Sequence, residues 1–484
     1  MNLYGNPHNS MAEKPTSGVG VTSPFTSTRE CGQILNARDQ SRWTQLWATD
    51  LFWPGRFQAP RWLESAPVIL VTAGFLIWMI KPVGDMWLTM GTYLLVGLGA
   101  VVRGLFWGFW LDRRLRLLFM ISLSVGLLGS VYGAILQNPG VANEFVFFVA
   151  LPIAWLVFTS GIDLPILRVV INAIPFAGLT IGLLGVFYWL DASGQLDLGW
   201  ITFVDLGQGI GDEGYGYVLR FYPISSLVFM LSFFFVSLIV PNTYSWWLSR
   251  AVAWPAAVSV FFLLFIGGRR ALFVSLVLSV VIAFLLLFLV EGQSRLRQRF
   301  YLIGVSAALV GAVVTVVSRF SPANMVQSIL RDLFSADSVR AVSGEALIDS
   351  WLQSPLIGHG LGATVEGSIR SPSRPWSFEL QYHMMLNSIG LIGFLMLAVV
   401  AILLFVIAIR VYRFERQKFA FLAAVVTGAL SLVIANATNP YMHTPGHYWM
   451  FFFLALAVNS ASRATGVAGR GAKAGLSTEV QQDG

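Results

Sequence analysis

Twelve apolar segments of helical length lie between residues 65 and 461, and they constrain the fold more than any other feature of the chain. The hydrocarbon core of a bilayer is about 30 Å thick, so a helix needs roughly 20 apolar residues to cross it. The segments predict an all-α polytopic membrane protein with about 12 transmembrane helices. They lie near residues 65–80, 85–102, 115–136, 145–160, 166–190, 221–240, 251–267, 271–290, 300–318, 380–409, 419–436 and 447–461.

The composition agrees with residence in a lipid bilayer. Of the 484 residues, 56% are hydrophobic and 11% are charged, whereas a soluble domain carries about 25% charged residues. The net charge of +7 does not indicate a nucleic-acid partner, because the positive charge lies in short loops between apolar segments, where it orients a membrane protein. We therefore expect a lipid bilayer and no nucleic acid as partner.

Polar segments flank the apolar region on both sides. Residues 1–64 are rich in Ser, Thr, Gly and Pro, and the composition of residues 463–484 is similar. Such segments bury too little apolar surface to fold, so we expect a disordered arm and a disordered tail around a transmembrane domain at 65–462. The single cysteine, Cys31, allows no intrachain disulfide.

The arginines and lysines assign sides to the predicted loops. Arginines precede the first segment and recur in alternate loops, whereas the intervening loops are neutral or acidic. Because cytoplasmic loops carry the excess of Lys and Arg, both termini are predicted to be cytoplasmic. Residues 319–378 then form one long external loop between the ninth and tenth spans, and long connections of this kind are usually functional.

Arg269 and Arg270, in the short external sequence "GGRR", do not follow this pattern. A charged side chain at the centre of a bilayer costs roughly 2.5–3.5 kcal/mol on insertion scales. Two explanations fit an adjacent pair on the outer side. The side chains extend to the headgroups, or they bind an anion at the outer membrane face.

The long loop contains one predicted helix and one tight turn. The sequence "DSVRAVSGEALIDSWLQSP" predicts a helix that Asp337 or Ser338 caps and that Ser354–Pro355 ends. The sequence "GHGLG" at 358–362 follows, and its glycines permit close backbone approach. Glu379 then lies at the start of the tenth predicted span.

These residues resemble the bacterial O-antigen ligase and Wzy-type polysaccharide polymerase family. In that family an arginine opens a helix that ends in a P-L-x-G-x-G-x-G turn, and a His or Glu then begins the next span. A G-x-x-G pair follows about three turns later. Here Gly390 and Gly393 lie 11 and 14 residues after Glu379. "GRRA" and "NATNPYM" resemble two further family elements, and the resemblance covers roughly residues 265–455.

The resemblance implies a membrane glycosyltransferase whose donor is a glycan on undecaprenyl diphosphate. The active site would face the periplasm from the bacterial inner membrane, and a flippase and a chain-length regulator would act in the same pathway. Ligases of the family place a His where Glu379 stands. The chain is therefore more similar to the polymerases that join oligosaccharide repeat units of an exopolysaccharide, capsule or O-antigen.

The chemistry assigns roles to these residues. A leaving diphosphate develops negative charge that arginine stabilises bidentately, so Arg340 with Arg269 or Arg270 is the predicted clamp. The acceptor hydroxyl needs a base, and Glu379 is the predicted one; alternatively it is a carboxylate that only stabilises a helix start. The candidate substrate-binding residues are His359, Arg370, Arg374, Tyr382 and Asn439.

Simpler roles exist for some of these candidates. His359 in the glycine turn is also explained as a structural residue, and Arg370 and Arg374 as solvent-facing cations. The scheme needs neither a metal nor a cofactor, and the chain contains no D-x-D sequence. The alternative functions are a ligase that transfers the finished glycan to lipid A core or to a protein, and a membrane transporter, because twelve spans with internal prolines also suit carriers.

Overall fold

A computed structural model describes the chain at residues 61–84, 86–199, 207–212, 217–240, 242–266, 277, 281, 338–366, 374–437 and 439–479. All of these residues belong to one unit, Pro54–Gly484. The preceding unit, and with it the predicted disordered arm up to residue 60, lies outside the described residues.

Apolar helices form the first half of the described chain. They are α1 Arg61–Ile80, α2 Met86–Trp107, α3 Arg113–Ile135, α4 Val141–Gly161 and α5 Leu164–Ala192. Asp112 caps α3 and Asp163 caps α5, each through a side-chain oxygen that accepts a backbone N–H of the first turn. Residues Val146–Ala150 of α4 form one π-helical turn.

A short antiparallel hairpin and further helices complete the described chain. The hairpin pairs β1 Gly207–Asp212 with β2 Tyr217–Phe221. The later helices are α6 Ile224–Ile239, α7 Trp247–Ile266, α8 Ser338–Gln353, α9 Gln381–Phe414, α10 Phe421–Ala435 and α11 Tyr448–Glu479. Two 3₁₀ turns, Tyr441–His443 and Pro445–His447, connect α10 to α11.

The helical prediction is confirmed for the described residues, with the hairpin as the exception. Each predicted span within them coincides with a helix, whereas the spans predicted at 271–290 and 300–318 lie outside them. In this part of the chain, 5 helices are long and apolar enough to cross a membrane: α2, α3, α4, α5 and α9. The total of about 12 spans and the cytoplasmic placement of the termini stay predictions.

Two predicted boundaries differ from the observed ones. Helix α1 begins at Arg61, inside the predicted arm, and α11 continues to Glu479 through most of the predicted disordered tail. Extension of an existing helix costs far less than nucleation of a new one. A packed helix therefore continues into a polar segment whose composition alone predicts disorder.

The core is aromatic, and the opposite faces of several helices are apolar and exposed. Trp78, Trp155 and Phe453 are fully buried and contact one another through Phe75. On α9, by contrast, Leu395 and Ile402 are 52% and 60% exposed. Water disfavours a continuous exposed apolar face on a long helix, whereas lipid accepts it, so these surfaces fit a membrane protein.

The segments that connect the helices form two groups, one at each end of the helical bundle, and segments of the same group contact one another. The first group comprises residues 81–84, 137–140, 354–366, 374–380, 436–437 and 439–447, which the charge pattern predicts to be external; we name it the predicted outer end. The second comprises residues 107–113, 161–164, 242–250 and 459–463, the predicted inner end. Within the outer group, the Gly140 N–H donates to the Gly362 carbonyl at 3.1 Å. Within the inner group, the Asp112 N–H donates to Asn459 Oδ1 at 2.9 Å.

Candidate functional site

The glycine turn at 358–362 is held between α3 and α9 at the predicted outer end. Gly358, Gly360 and Gly362 have φ values of +73°, +79° and +78°, a region that side-chain-bearing residues rarely adopt. A Cβ atom at Gly362 would lie 2.2 Å from the Gly140 carbonyl carbon, and one at Gly360 would lie 2.6 Å from Gly133 Cα. Glycine is therefore required both by the backbone conformation and by the close approach.

Helix α9 has a break at Gly390 that the same turn stabilises. Gly390 has φ +63° and ψ −177°, which interrupts the helix. The amides of Leu391 and Ile392 donate instead to the carbonyls of Pro355 and Leu356, at 2.9 and 3.2 Å. The first part of α9 thus keeps its orientation because the segment after α8 satisfies the freed amides.

The turn is also hydrogen-bonded to the loop that follows α3. Asn138 Nδ2 donates to the His359 carbonyl at 2.8 Å and to the Leu361 carbonyl at 3.1 Å. The Leu361 N–H donates to the Gly129 carbonyl at 3.0 Å. The turn that the sequence singled out therefore joins three separate segments at one end of the bundle.

Helix α8, whose first turn contains Arg340, packs against the segment that contains Glu379. Arg340 is on the first turn of α8, and Gly344 one turn later is buried against the segment that contains Glu379. A Cβ atom at Gly344 would lie 3.2 Å from Leu380 Cδ1. Glu379 itself is half-buried and immediately precedes the N-terminal cap of α9. The observed end of α8 at Gln353 confirms the end predicted at Ser354–Pro355. The helix begins at Ser338, so Ser338 is its first residue and not its cap; Asp337, the other predicted cap, lies outside the described residues.

The remaining predicted site residues differ in exposure and in hydrogen-bond partners, and some of them lie outside the described residues. Arg269, Arg270 and Arg370 lie outside the described residues, and Arg374 is exposed. His359 Nε2 lies 2.7 Å from the Ser350 carbonyl, so this ring fastens the turn to α8. The Tyr382 hydroxyl donates to the Val433 carbonyl of α10. Asn439 is half-buried, and its carbonyl accepts the Tyr441 N–H at 2.9 Å.

A buried carboxylate–imidazole pair at the predicted outer end was missed by the sequence reasoning. Glu144 Oε2 lies 3.0 Å from His443 Nε2, and the two side chains are only 2% and 9% exposed. A carboxylate accepts hydrogen bonds, so the His443 Nε2–H is the donor. The other ring nitrogen, Nδ1, is buried and has no hydrogen-bond partner among the described residues.

An aromatic ring and the π-helical turn of α4 surround this pair. The Phe147 ring stands edge-on to the His443 ring, with centroids 5.3 Å apart. The Phe147 carbonyl lies in the π-helical turn and accepts the Tyr448 hydroxyl at 2.5 Å. Such turns occur frequently at functional sites. A sequence signal for the pair exists: Glu144 directly precedes the span predicted at 145–160, much as Glu379 directly precedes the tenth span.

His447 differs from His443, although only three residues separate them. Its Nε2 lies 2.7 Å from Ser225 Oγ and its Nδ1 lies 3.3 Å from the Tyr441 carbonyl, so it connects α6 with the turns before α11. Among the described residues, no group of three or more His, Cys, Asp or Glu side chains has an arrangement that could hold a metal ion. The expected independence from metals stays a prediction.

Two buried amide side chains at the start of α9 were also missed. Gln381 and Asn387 are both 0% exposed. All four of their amide nitrogen and oxygen atoms lack a hydrogen-bond partner among the described residues. Buried polar groups in native proteins are nearly always bonded, so such exceptions point to a ligand, to water or to catalysis. No family model and no curated protein matches this chain.

Proposed function

We propose that the chain is a membrane glycosyltransferase that polymerises oligosaccharide repeat units carried on undecaprenyl diphosphate. The active site would lie at the predicted outer end, on the periplasmic side of a bacterial inner membrane. A donor glycan and an acceptor glycan, both lipid-linked, would be its substrates, and a flippase and a chain-length regulator would be its pathway partners.

The observation that carries this proposal is the packing of α8 against the start of α9. Through Gly344 and Leu380, the helix whose first turn contains Arg340 lies beside the segment that contains Glu379. An arginine fork suits the diphosphate that leaves, and a carboxylate suits the hydroxyl proton of the acceptor. The glycine turn and the break at Gly390 fix the backbone of both segments, as a preorganised site requires.

In the proposed reaction, the acceptor hydroxyl oxygen attacks the anomeric carbon of the donor. The bond from this carbon to the diphosphate oxygen breaks, and the hydroxyl proton passes to Glu379. Arg340, with Arg269 or Arg270, stabilises the charge that develops on the diphosphate. The products are a lengthened lipid-linked glycan and free undecaprenyl diphosphate.

An Arg340→Lys variant tests the proposal, with Arg250→Lys as the matched control. Lysine keeps the charge but loses the bidentate fork, so long polymer should disappear from cells while the protein level in the membrane stays normal. Arg250 is exposed at the predicted inner end, so its lysine variant should produce normal chain lengths. The chain lengths are measured on a gel beside an immunoblot. Normal polymer from Arg340→Lys contradicts the proposal, and glycan joined to lipid A core indicates the ligase instead.

A further inference from the structure

We propose that Gln381 and Asn387 bind the uncharged hydroxyl and amide groups of the acceptor glycan. This inference rests on the proposed function and deepens it, because it names the residues that recognise the acceptor. It starts from their two side chains, which are 0% exposed and lack hydrogen-bond partners among the described residues.

Burial without hydrogen bonds makes these amides unfavourable for folding alone. Each amide has lost its hydrogen bonds to water, and no described residue replaces them. Leucine or methionine has a similar volume and would avoid this loss. A sequence that places two such amides in one helix therefore gains something from them other than stability, and polar groups of a ligand would supply the missing hydrogen bonds.

The chemistry of the two side chains indicates a neutral and extended ligand. An amide offers donors and acceptors together, which matches the hydroxyl and acetamido groups of sugars. Asn387 lies six positions after Gln381, so the two residues are about 9 Å apart along the helix axis at 1.5 Å per residue. A chain of sugar units spans such a distance, whereas a single small ion does not.

The position of the amides relates them to the proposed catalytic residue. Gln381 is two positions after Glu379, at the first residue of α9. Asn387 lies just before the break at Gly390, and its carbonyl accepts the His359 N–H of the glycine turn at 2.8 Å. The backbone that carries both amides is thus fixed by the same turn that supports the proposed site.

Other unpaired polar atoms lie at the same end. His383 Nδ1, four residues before Asn387 and therefore on the same helix face, is buried without a partner among the described residues. Trp376 Nε1 and His443 Nδ1 also lack partners in the described part of the chain. An aromatic ring with a free N–H is a further feature suited to sugars, because it offers an apolar face and a polar edge.

The test replaces each amide by an apolar residue of similar size and compares the result with Asn459→Leu. Asn459 is equally buried, but its amide makes three hydrogen bonds at the predicted inner end. The thermal unfolding midpoint of each purified variant is measured in detergent, and polymer length is measured in cells. Asn387→Leu and Gln381→Met should unfold at or above the wild-type midpoint and yield about tenfold less long polymer. Asn459→Leu should unfold well below it.

Two results would overturn the inference. The first is a loss of stability: if the unfolding midpoints of Asn387→Leu and Gln381→Met fall as far as that of Asn459→Leu, the amides are bonded within the protein or to its water. The second is normal activity: if these variants are stable and make polymer of normal length, no substrate group contacts the two amide side chains. Should Asn387→Leu fail to insert into the membrane, Gln381→Met decides by the same criteria. If Arg340→Lys abolishes polymer but stable Asn387→Leu and Gln381→Met variants still make it, only this inference fails. If Arg340→Lys leaves polymer normal, the proposed function fails.

Discussion

Asn459 and Asn387 are equally buried asparagines at opposite ends of the bundle, and their surroundings differ completely. Asn459 Nδ2 donates to the Thr159 and Trp110 carbonyls at 2.6 and 2.8 Å, and its Oδ1 accepts the Asp112 N–H at 2.9 Å. Neither amide atom of Asn387 has a partner among the described residues. The side chain of the first asparagine joins three segments, whereas that of the second makes no hydrogen bond among the described residues.

The residues around Asn459 extend this contrast. Arg103 forms an ion pair with Asp163, which also caps α5, and its guanidinium lies 3.8 Å above the Trp107 ring centroid. Arg463 donates to the carbonyls of Trp107 and Gly108, at 2.7 and 3.1 Å. Charged and amide groups at the predicted inner end therefore satisfy helix termini, which is a structural use.

The predicted outer end uses its polar groups differently. Its segments are joined by backbone hydrogen bonds of the glycine turn and of the break in α9, while Gln381, Asn387 and His443 keep unpaired atoms within the described part of the chain. Sites that bind or react commonly violate the rules of stable packing. The inner end therefore uses its polar groups to stabilise the bundle, whereas the unpaired groups of the outer end are the ones that we propose to bind a ligand.

The largest expected effect is on the free energy of unfolding, at the glycine turn. It tests whether the close approach of Gly362 to Gly140 stabilises the outer end. Gly362→Ala places a Cβ atom 2.2 Å from the Gly140 carbonyl carbon at a φ of +78°, so we expect the free energy of unfolding to fall by about 4 kcal/mol. Gly194→Ala is the control, because Gly194 has φ +74° with no atom within 4 Å of the added Cβ. It should lose about 1–2 kcal/mol. Equal losses in chemical denaturation would mean that backbone conformation, and not the close approach, matters.

A smaller effect is expected at the inner end. Asp163→Asn keeps a capping side chain for α5 but removes the charge opposite Arg103, so unfolding should become easier by about 2–3 kcal/mol. Glu415→Gln breaks a more exposed pair with Lys418, whose side chains are 31% and 37% exposed, and should change stability by less than about 0.5 kcal/mol. Thermal unfolding of both variants in the same detergent compares them. If Asp163→Asn lowers stability as little as Glu415→Gln does, the charged groups of the inner end do not have the structural role that we assign to them.

Local sequence signals predicted much of this architecture. Apolar length located the described helices, and Ser354–Pro355 located the end of α8 because a proline acts within a few residues of its position. The three glycines of the turn were singled out for close backbone approach, and each has a positive φ. These features depend on neighbours in the chain, so one sequence suffices to find them.

Features that depend on distant contacts could not be predicted in the same way. Glu144 and His443 are 299 residues apart, and only the packing of α4 against the turns before α11 brings them together. The paired strands Gly207–Asp212 and Tyr217–Phe221 give only a weak local signal, because glycines in a strand weaken its pattern. Nothing in the sequence distinguishes the bonded Asn459 from the unpaired Asn387, since that difference is defined by the surrounding tertiary structure.

The most direct test of the central claim is the length of the glycan made by cells that carry Glu379→Gln. Glutamine keeps the size and hydrogen bonding of the side chain but cannot accept the proton, and loss of a general base typically costs 10²–10⁴-fold in rate. With normal protein in the membrane, long polymer should vanish while single repeat units accumulate on the lipid carrier. Chains of nearly normal length would contradict the account and leave Glu379 as a carboxylate that only stabilises the start of α9.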